Sequence, residues 1–314
     1  MIRILLLILF SGINYTTYSQ TTEAEKVLHT ASGDLCGRLI VPAGKRKFDV
    51  IILQPGSGPT DRNGNNPLGV KANSYRMLAD SLVQYGIATL LIDKRGIGAS
   101  KAAGADESKL VFDDYIKDIE LWFRFLKKDP RADRLILAGH SEGSLIAMVA
   151  AQKVPADKYI SISGPAEPID DIIFWQLKQQ VPLLAPAARD LFDKMKRGET
   201  IDSVPPMLYT LFRPSIQPYM RSWMSYNPCQ EIKKLRMPVL ILQGTTDVQV
   251  QKEEAAALHQ CNTAAKLEMI TGMNHVLKEA PLDPAANKAT YMDPSLPLLH
   301  DFVTSIVSFI KSPK

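Results

Sequence analysis

The sequence has little of what marks several large classes of protein. Its 314 residues include only three cysteines and three tryptophans, and the formal net charge at pH 7 is only +4. A disulfide-rich scaffold is excluded, because three cysteines can form no more than one intramolecular pair. No long run of Lys and Arg is present that would follow a phosphate backbone, so we expect no nucleic-acid partner.

The apolar run near the N-terminus is too short to span a membrane. It covers residues 4–10, follows Arg3 and leads into a polar stretch that ends at Gln20, whereas a spanning helix needs about 20 apolar residues. This layout is typical of a signal peptide, and it favours cleavage just before Gln20. We therefore expect residues 1–19 to be removed, the mature chain to be secreted or periplasmic, and no stable membrane insertion. A buried first strand is the alternative interpretation.

Motifs for metals and nucleotides are missing as well. No group of His, Cys, Asp and Glu has the spacing of metal ligands, and no dinucleotide-binding fingerprint follows a predicted strand. The glycine-rich segment 55–59 lacks the Lys and the Ser or Thr that a phosphate-binding loop requires. The sequence therefore predicts no cofactor and no metal.

The three cysteines leave two alternatives open. Export permits a disulfide, and Cys229 with Cys261 is the pair to test. Three small buried thiols, Cys36 among them, explain the sequence equally well.

What the sequence does contain is an alternation of short β-branched or leucine-rich runs with longer segments of helical periodicity. This alternation starts at about Val50 and is typical of parallel strands joined by helical crossovers. The predicted strands cover residues 50–53, 87–92, 134–138, 159–163, 239–242 and 266–270, and helices are predicted near 75–86, 112–129, 142–153 and 302–310.

The alternation breaks between Gly164 and about Met237. Proline-punctuated helical pieces rich in aromatic residues fill this part of the chain. We interpret it as an inserted helical cap over residues 166–227, with 20–165 and 228–314 forming the core. Most of its aromatic residues should pack the insert itself, but Trp175 and Trp223 are predicted to contribute to a substrate pocket.

The strongest local motif is the Gly-His-Ser-Glu-Gly segment at 139–143, which lies between a predicted strand and a predicted helix. A serine in this turn adopts a strained backbone conformation, and glycine neighbours allow the strand and helix to approach closely. Ser141 is therefore the candidate nucleophile.

A serine hydroxyl needs a base and a residue that orients the base. His29 is expected before the sheet, His140 adjoins the serine, and His259 and His300 lie in predicted helices. Only His275 follows a predicted strand end, where catalytic groups of parallel sheets gather. Alone, it would be an ordinary loop histidine.

The third member of the triad should be an acid that lies between the serine and the histidine in the chain. Asp247 fits, because it follows the strand predicted at 239–242 and precedes a helix expected from about Val250. Its alternative role is that of a carboxylate at a helix N-terminus. The order of the three candidates favours the triad.

A tetrahedral oxyanion requires two preorganised donors. The backbone N–H of Glu142 supplies the first, and the second is predicted from the 55–59 loop. Ser57 N–H is our first choice there, and Gly56, which is also predicted to bind the substrate, is the second.

These motifs together resemble the α/β-hydrolase superfamily, and within it the exported bacterial esterase and aminopeptidase-like subgroup with a cap insert. The resemblance covers most of the mature chain and rests on segments 55–64, 93–100 and 139–143 and on the Asp247 and His275 loops. It implies an α/β-hydrolase fold, with a mostly parallel doubly wound sheet. The chain has Pro55-Gly56 where the family commonly has His-Gly.

Four charged residues in these loops have two interpretations. They could bind a carboxylate or a sugar of a substrate, but we predict that ion pairs buttress the loops, with a structural role for Arg95. The other three are Asp61, Arg62 and Asp93.

The sequence therefore predicts hydrolysis of a carboxylic ester through an acyl-enzyme on Ser141, with a small ester or acyl compound as substrate. A serine aminopeptidase or a thioesterase would use the same triad. A non-catalytic binding protein on this fold is the hypothesis from another class, and a lost triad member would be its usual mark.

Overall fold

A computed structural model describes residues 21–313, so the predicted signal peptide and its cleavage site before Gln20 lie outside the described residues. An eight-stranded sheet has the order β1-β2-β6-β3-β7-β8-β9-β10, and β4 and β5 form a separate small hairpin. The strands are β1 (Thr21–Thr30), β2 (Gly33–Pro42), β3 (Phe48–Gln54), β4 (Asn65–Asn66), β5 (Val70–Lys71), β6 (Ile87–Ile92), β7 (Ala132–His140), β8 (Lys158–Ile162), β9 (Val239–Gly244) and β10 (Lys266–Ile270).

Strands β6, β3, β7, β8, β9 and β10 are parallel, whereas β1 and β2 form an antiparallel edge. The helices are α1 (Ser74–Gln84), α2 (Phe112–Leu126), α3 (Glu142–Ala151), α4 (Ile169–Gln180), α5 (Ala185–Lys196), α6 (Tyr209–Phe212), α7 (Gln217–Met224), α8 (Pro228–Ile232), α9 (Lys252–Cys261), α10 (Pro284–Ala289) and α11 (His300–Lys311). Short 3-10 turns join several of them. None of the helices within residues 21–313 is long and apolar enough to cross a membrane.

Helices cover both faces of the sheet because the central strands are apolar on both sides. In β3, Ile52 packs into the core shared with α2 and α3, whereas its neighbour Ile51 packs into the core shared with α1 and α11. Side chains alternate along a strand, so a strand buried on both faces reads as a continuous apolar run. This is the mostly parallel α/β architecture that the sequence predicts.

The predicted strands are all present, and the structure adds an N-terminal hairpin that the sequence analysis missed. His29 was expected before the sheet, but it lies in β1 and is paired with Asp34 of β2. The prediction was wrong because β1 is an edge strand whose residues are at least partly exposed, and it therefore lacks the apolar run of a buried strand.

The segment between β8 and β9 contains α4 to α7, which agrees with the helical pieces read from the sequence there. Directly after them, a disulfide joins Cys229 of α8 to Cys261 at the end of α9, and their Cα atoms are 5.4 Å apart. Cys36 is a free, half-buried thiol. The structure thus contains the Cys229–Cys261 disulfide, which the sequence analysis left open as one of two alternatives.

Parallel strands bring their carboxyl ends to one edge of the sheet. The loops that follow β3, β6, β7, β9 and β10 therefore meet there, and these loops carry Ser57, Lys94, Ser141, Asp247 and His275. The candidate site is built at this edge.

Candidate active site

Ser141 stands at the sharp turn between β7 and α3. Its backbone has φ 55° and ψ −122°, a conformation that costs a non-glycine residue free energy. Ser141 N–H donates to Ile162 O of the neighbouring strand at 2.9 Å, and Ser141 O accepts from Ser144 N. These bonds at both ends of the turn hold the strained serine in place.

The two glycines of the turn are required by close backbone approach. A Cβ atom on Gly139 would lie 1.9 Å from Gly143 O, and a Cβ on Gly143 would lie 2.3 Å from Gln54 O and 2.5 Å from Pro55 O. All of these neighbours are backbone atoms, which cannot rotate away. Glycine at these positions therefore lets α3 pack directly against the end of β3.

His275 and Asp247 form a buried hydrogen-bonded pair. His275 Nδ1 lies 2.8 Å from Asp247 Oδ2, and the two side chains are 7% and 0% exposed. Asp247 Oδ1 accepts from the backbone N–H groups of Gln249 and Val250. Burial by itself raises the pKa of the Asp247 carboxyl, but His275 and these two N–H groups outweigh it and hold the pKa below its ordinary value.

Ser141 and His275 line the same small cavity, of about 110 Å³. Within the described residues, no hydrogen bond joins the Ser141 hydroxyl to the His275 imidazole. Such catalytic hydrogen bonds often tighten only when a substrate is bound. The structure thus brings together all three residues that the sequence proposed as a triad.

His140 connects three parts of the site through a chain of hydrogen bonds. Gly56 N–H donates to Tyr75 Oη at 3.2 Å, and Tyr75 Oη lies 2.8 Å from His140 Nδ1. His140 Nε2 lies 2.9 Å from the carbonyl oxygen of His275. Because a carbonyl only accepts, His140 carries its proton on Nε2, and Nδ1 accepts from Tyr75. Sequence reasoning missed Tyr75 in this role.

Burial, and after it the neighbouring His275, lower the pKa of His140 from 6.5 to about 3. His140 therefore becomes protonated near pH 6.5 in the unfolded chain, but only near pH 3 in the native protein. The contribution of neutral His140 to stability is therefore fully present above about pH 6.5 and is lost as the pH falls toward about 3.

We expect acidification to lower the free energy of unfolding by up to about 1.4 kcal/mol per pH unit through this one residue. In His140→Gln, which keeps an acceptor and a donor, the decline between pH 6 and pH 4 should be shallower. Urea unfolding across this pH range measures the difference; equal slopes for both proteins would contradict the prediction.

The backbone N–H groups of Ser57 and of Glu142, the first residue of α3, have no acceptor among residues 21–313. Both polar backbone groups of Gly56 are occupied, since its N–H donates to Tyr75 and its carbonyl accepts from Lys94 at 2.5 Å. Of Gly56 and Ser57, only Ser57 therefore has an N–H group that is available to bind an oxyanion.

A buried charged cluster adjoins these donors, and sequence reasoning did not find it. Lys94 Nζ lies 3.2 Å from Glu142 Oε2, and both side chains are 2% exposed. Tyr219 Oη, on α7, donates to Glu142 Oε1 at 2.5 Å. Burial, followed by the Glu142 carboxylate, raises the pKa of Tyr219 well above its ordinary value. The tyrosine therefore remains a hydrogen-bond donor at any physiological pH.

Ser141 also lines a second, larger cavity of about 550 Å³. Its walls come from the Ser57 loop and from the helices between β8 and β9, and its apolar lining includes Ile169, Ile172, Ile173, Ile216, Met220 and Trp223. Ser141 and Ser57 line both cavities. Trp223 is buried and stacks on Phe112, with ring centroids 5.5 Å apart.

Trp175, predicted as a pocket residue, lines neither cavity that contains Ser141. It lies on α4, where the cavity-facing residues Ile169, Ile172, Ile173 and Gln176 recur at helical spacing. Trp175 falls outside this stripe, since successive helical residues are rotated by about 100°. Trp175 is therefore not a wall of either cavity. The sequence pattern did not show which side of the helix Trp175 would occupy.

Three of the four charged loop residues make the predicted ion pairs. Arg62 Nη2 lies 2.7 Å from Asp93 Oδ2, and Arg95 binds the Asp118 carboxylate through Nε and Nη2. Asp61 differs, because its Oδ1 accepts the backbone N–H groups of Asn63 and Asn65. These residues buttress the loops that surround the site.

Comparison with known structures identifies the fold. Est1E of Butyrivibrio proteoclasticus, in its complex with ferulic acid, superposes with a TM-score of 0.59 at 18% identity over 89% of this chain and 96% of its own. The Pyrococcus furiosus esterase Pf2001 superposes with a TM-score of 0.60 at 17% identity, over 92% of this chain and 91% of its own. Identities this low show the fold alone, and the predicted α/β-hydrolase fold is confirmed.

The chain belongs to the family described as serine aminopeptidase, S33, which matches residues 68–279. This range includes all three triad candidates and begins after the Ser57 loop. The esterase EstD of Thermotoga maritima is 26% identical over 254 residues, which cover 77% of this chain. They cover 58% of EstD, so the chain spans less than two thirds of that relative's length.

Proposed function

We propose that this protein is a serine hydrolase that cleaves carboxylic esters through an acyl-enzyme on Ser141. The observation that carries the proposal is the buried Asp247–His275 hydrogen bond beside a serine held in a strained strand-to-helix turn. The proposed roles are Ser141 as nucleophile, His275 as general base and Asp247 as the residue that orients the imidazole.

The reaction follows from these positions. Ser141 Oγ attacks the ester carbonyl while His275 Nε2 takes the hydroxyl proton, and the carbonyl oxygen becomes an oxyanion that accepts from Ser57 N–H and Glu142 N–H. Collapse of the tetrahedral intermediate expels the alcohol, which receives the proton from His275. Water, deprotonated by His275, then attacks the acyl-enzyme, and the acid leaves as Ser141 regains its proton.

The two cavities indicate how an ester would lie. His275 lines only the small cavity, and it must reach the oxygen of the leaving alcohol. The alcohol is therefore assigned to the small cavity, and the acyl group to the apolar one. We propose that residues 166–227 act as a cap that shapes the acyl pocket; Est1E, which shares this fold, binds the aromatic acid ferulic acid.

An aminopeptidase is the second candidate, because the family carries that description. Such an enzyme needs a carboxylate that is available for the substrate ammonium group. Glu107 and Glu142 line the apolar cavity, but Glu107 is bound by Arg213 and Glu142 by Lys94. Four acidic residues of the insert are also paired with basic side chains; they are Asp170, Asp171, Asp190 and Glu199. The pairing favours an ester.

The proposed function is tested with purified protein, a panel of chromogenic esters and matched aminoacyl anilides. We expect esters to be hydrolysed and the anilides to be poor substrates, with all ester turnover lost in Ser141→Ala. Preferential cleavage of the anilides would support the aminopeptidase. A thioesterase is tested by including a thioester of the best acyl group, and binding without turnover of any substrate would indicate a non-catalytic protein.

The two tryptophans provide a matched test of the acyl pocket. Trp223→Ala should change the preference over a series of acyl chain lengths, because it enlarges the apolar cavity. Trp175→Ala removes the same side chain outside the cavity and should leave the preference as it is. The ratio of kcat/KM between long and short acyl esters is the measurement. An unchanged ratio in folded Trp223→Ala would show that this wall does not select the substrate.

We propose further that the mature protein begins near Gln20 and is secreted or periplasmic. The support is the short apolar run behind Arg3. Mass spectrometry of the protein recovered from the extracellular or periplasmic fraction tests it. Intact residues 1–19 on a membrane-bound protein would contradict the proposal.

A further inference from the structure

Lys94 is a buried cation whose two side-chain hydrogen bonds both go to the candidate oxyanion site. Its Nζ donates to Gly56 O at 2.5 Å and to Glu142 Oε2 at 3.2 Å, and it lies 5.5 Å from the centre of the Tyr115 ring. A buried ammonium group is costly unless it is paired and hydrogen-bonded. These contacts compensate it, and they join two segments that lie far apart in the sequence.

The Gly56 carbonyl and the Ser57 N–H belong to one planar peptide group. Because the peptide is rigid, a bond that fixes the carbonyl oxygen also fixes the direction of the N–H on its other side. Lys94 binds the second donor residue too, through the Glu142 side chain. One ammonium group thus binds the peptide group that carries the Ser57 N–H and the side chain of Glu142.

We propose that Lys94 is a positioning residue that aligns and polarises the two oxyanion donors; this assignment rests on the proposed function. A cation at Gly56 O draws electron density from the peptide and strengthens Ser57 N–H as a donor. Lys94 also neutralises the Glu142 carboxylate, which would otherwise repel the developing oxyanion. Both effects are larger in the transition state than in the ground state, so they act on kcat.

The competing explanation is that the Lys94–Glu142 ion pair only stabilises the fold. Two variants distinguish this structural role from the proposed positioning role. Lys94→Met removes the cation but leaves Glu142 as an unpaired buried carboxylate, so it should lose stability as well as activity. Lys94→Met/Glu142→Gln removes both charges and retains the Glu142 backbone N–H. We expect its stability to return close to that of the wild type while kcat stays about 10²-fold low and KM changes little.

The affinity for a trifluoromethyl ketone inhibitor is a measurement that should not change if Lys94 has only a structural role. The inhibitor adds to Ser141 Oγ and forms a tetrahedral oxyanion, so its affinity reports the oxyanion donors directly. In the double variant the affinity should fall by the same factor as kcat/KM.

Lys158→Met is the matched control. Lys158 is also fully buried and binds the backbone oxygens of Phe309 and Ser312, but it begins β8 at the opposite edge of the sheet. It should lose stability and keep kcat. Wild-type kcat and inhibitor affinity in the Lys94→Met/Glu142→Gln protein would overturn the Lys94 assignment alone. Failure of the wild-type protein to hydrolyse any ester would overturn the proposed function and, with it, this inference.

Discussion

Asp247→Asn should lower kcat by about 10⁴-fold, the scale known for the same change in a protease triad, while leaving the fold near native. The backbone N–H groups of Gln249 and Val250 donate to Oδ1, so the amide oxygen of the new Asn must occupy that place. Its NH₂ group then faces His275 Nδ1 and donates to it. The imidazole proton is forced onto Nε2, which can no longer accept the proton of Ser141.

The companion variants Ser141→Ala and His275→Ala should lose at least as much activity, and the losses should not add, because the three residues act as a unit. Asp49→Asn is the matched control, since Asp49 is a partly buried carboxylate that pairs with Arg134 at the amino end of β3. It should keep its activity. If Asp247→Asn hydrolyses esters at the wild-type rate while Ser141→Ala is inactive, another group orients His275.

Gly143→Ala should have the second-largest effect, with kcat lower by at least about 10²-fold, comparable to the loss of one oxyanion donor. The added Cβ would meet the carbonyl oxygens of Gln54 and Pro55, so α3 and the end of β3 must separate. That separation moves Glu142 N–H away from Ser57 N–H, although neither donor is itself changed.

Circular dichroism and urea unfolding should show a destabilised but folded Gly143→Ala protein, since overpacking typically costs about 1–3 kcal/mol. Gly198→Ala adds the same methyl group at a residue with φ +83°, where the new Cβ would have no atom within 4 Å beyond its neighbours in the chain. It should cost some stability and no activity. Wild-type kcat in Gly143→Ala would show that the close approach of α3 to β3 is not needed for the oxyanion donors.

The structure was predictable where the signal is local. The apolar strand that ends in His140, the Gly-x-Ser-x-Gly turn and the helix that begins at Glu142 are encoded within a few residues, because strand formation, the strained turn and helix formation depend on neighbours in the chain. The site at the carboxyl edge also followed from the sequence, since parallel strands bring their ends together.

Other parts of the site could not be read in this way. Gly56 is 38 residues from Lys94, and Glu142 is 48 residues from it. The residues next to Lys94 in the sequence do not indicate that Gly56 and Glu142 are its partners. Similarly, Trp175 and Trp223 look alike in sequence, and only the rotation of their helices separates a cavity wall from a residue outside it.

The sequence by itself determined the α/β class, the strained serine turn and the order Ser141, Asp247, His275. Each of these depends on backbone conformation and periodicity, which a few consecutive residues specify. Only the tertiary structure decided that β1 pairs at the sheet edge, that Cys229 bonds to Cys261, and that Lys94 joins Gly56 to Glu142. Those contacts depend on strand order and on the packing of distant loops, because a side chain's partners are set by what the whole fold brings within a few ångströms.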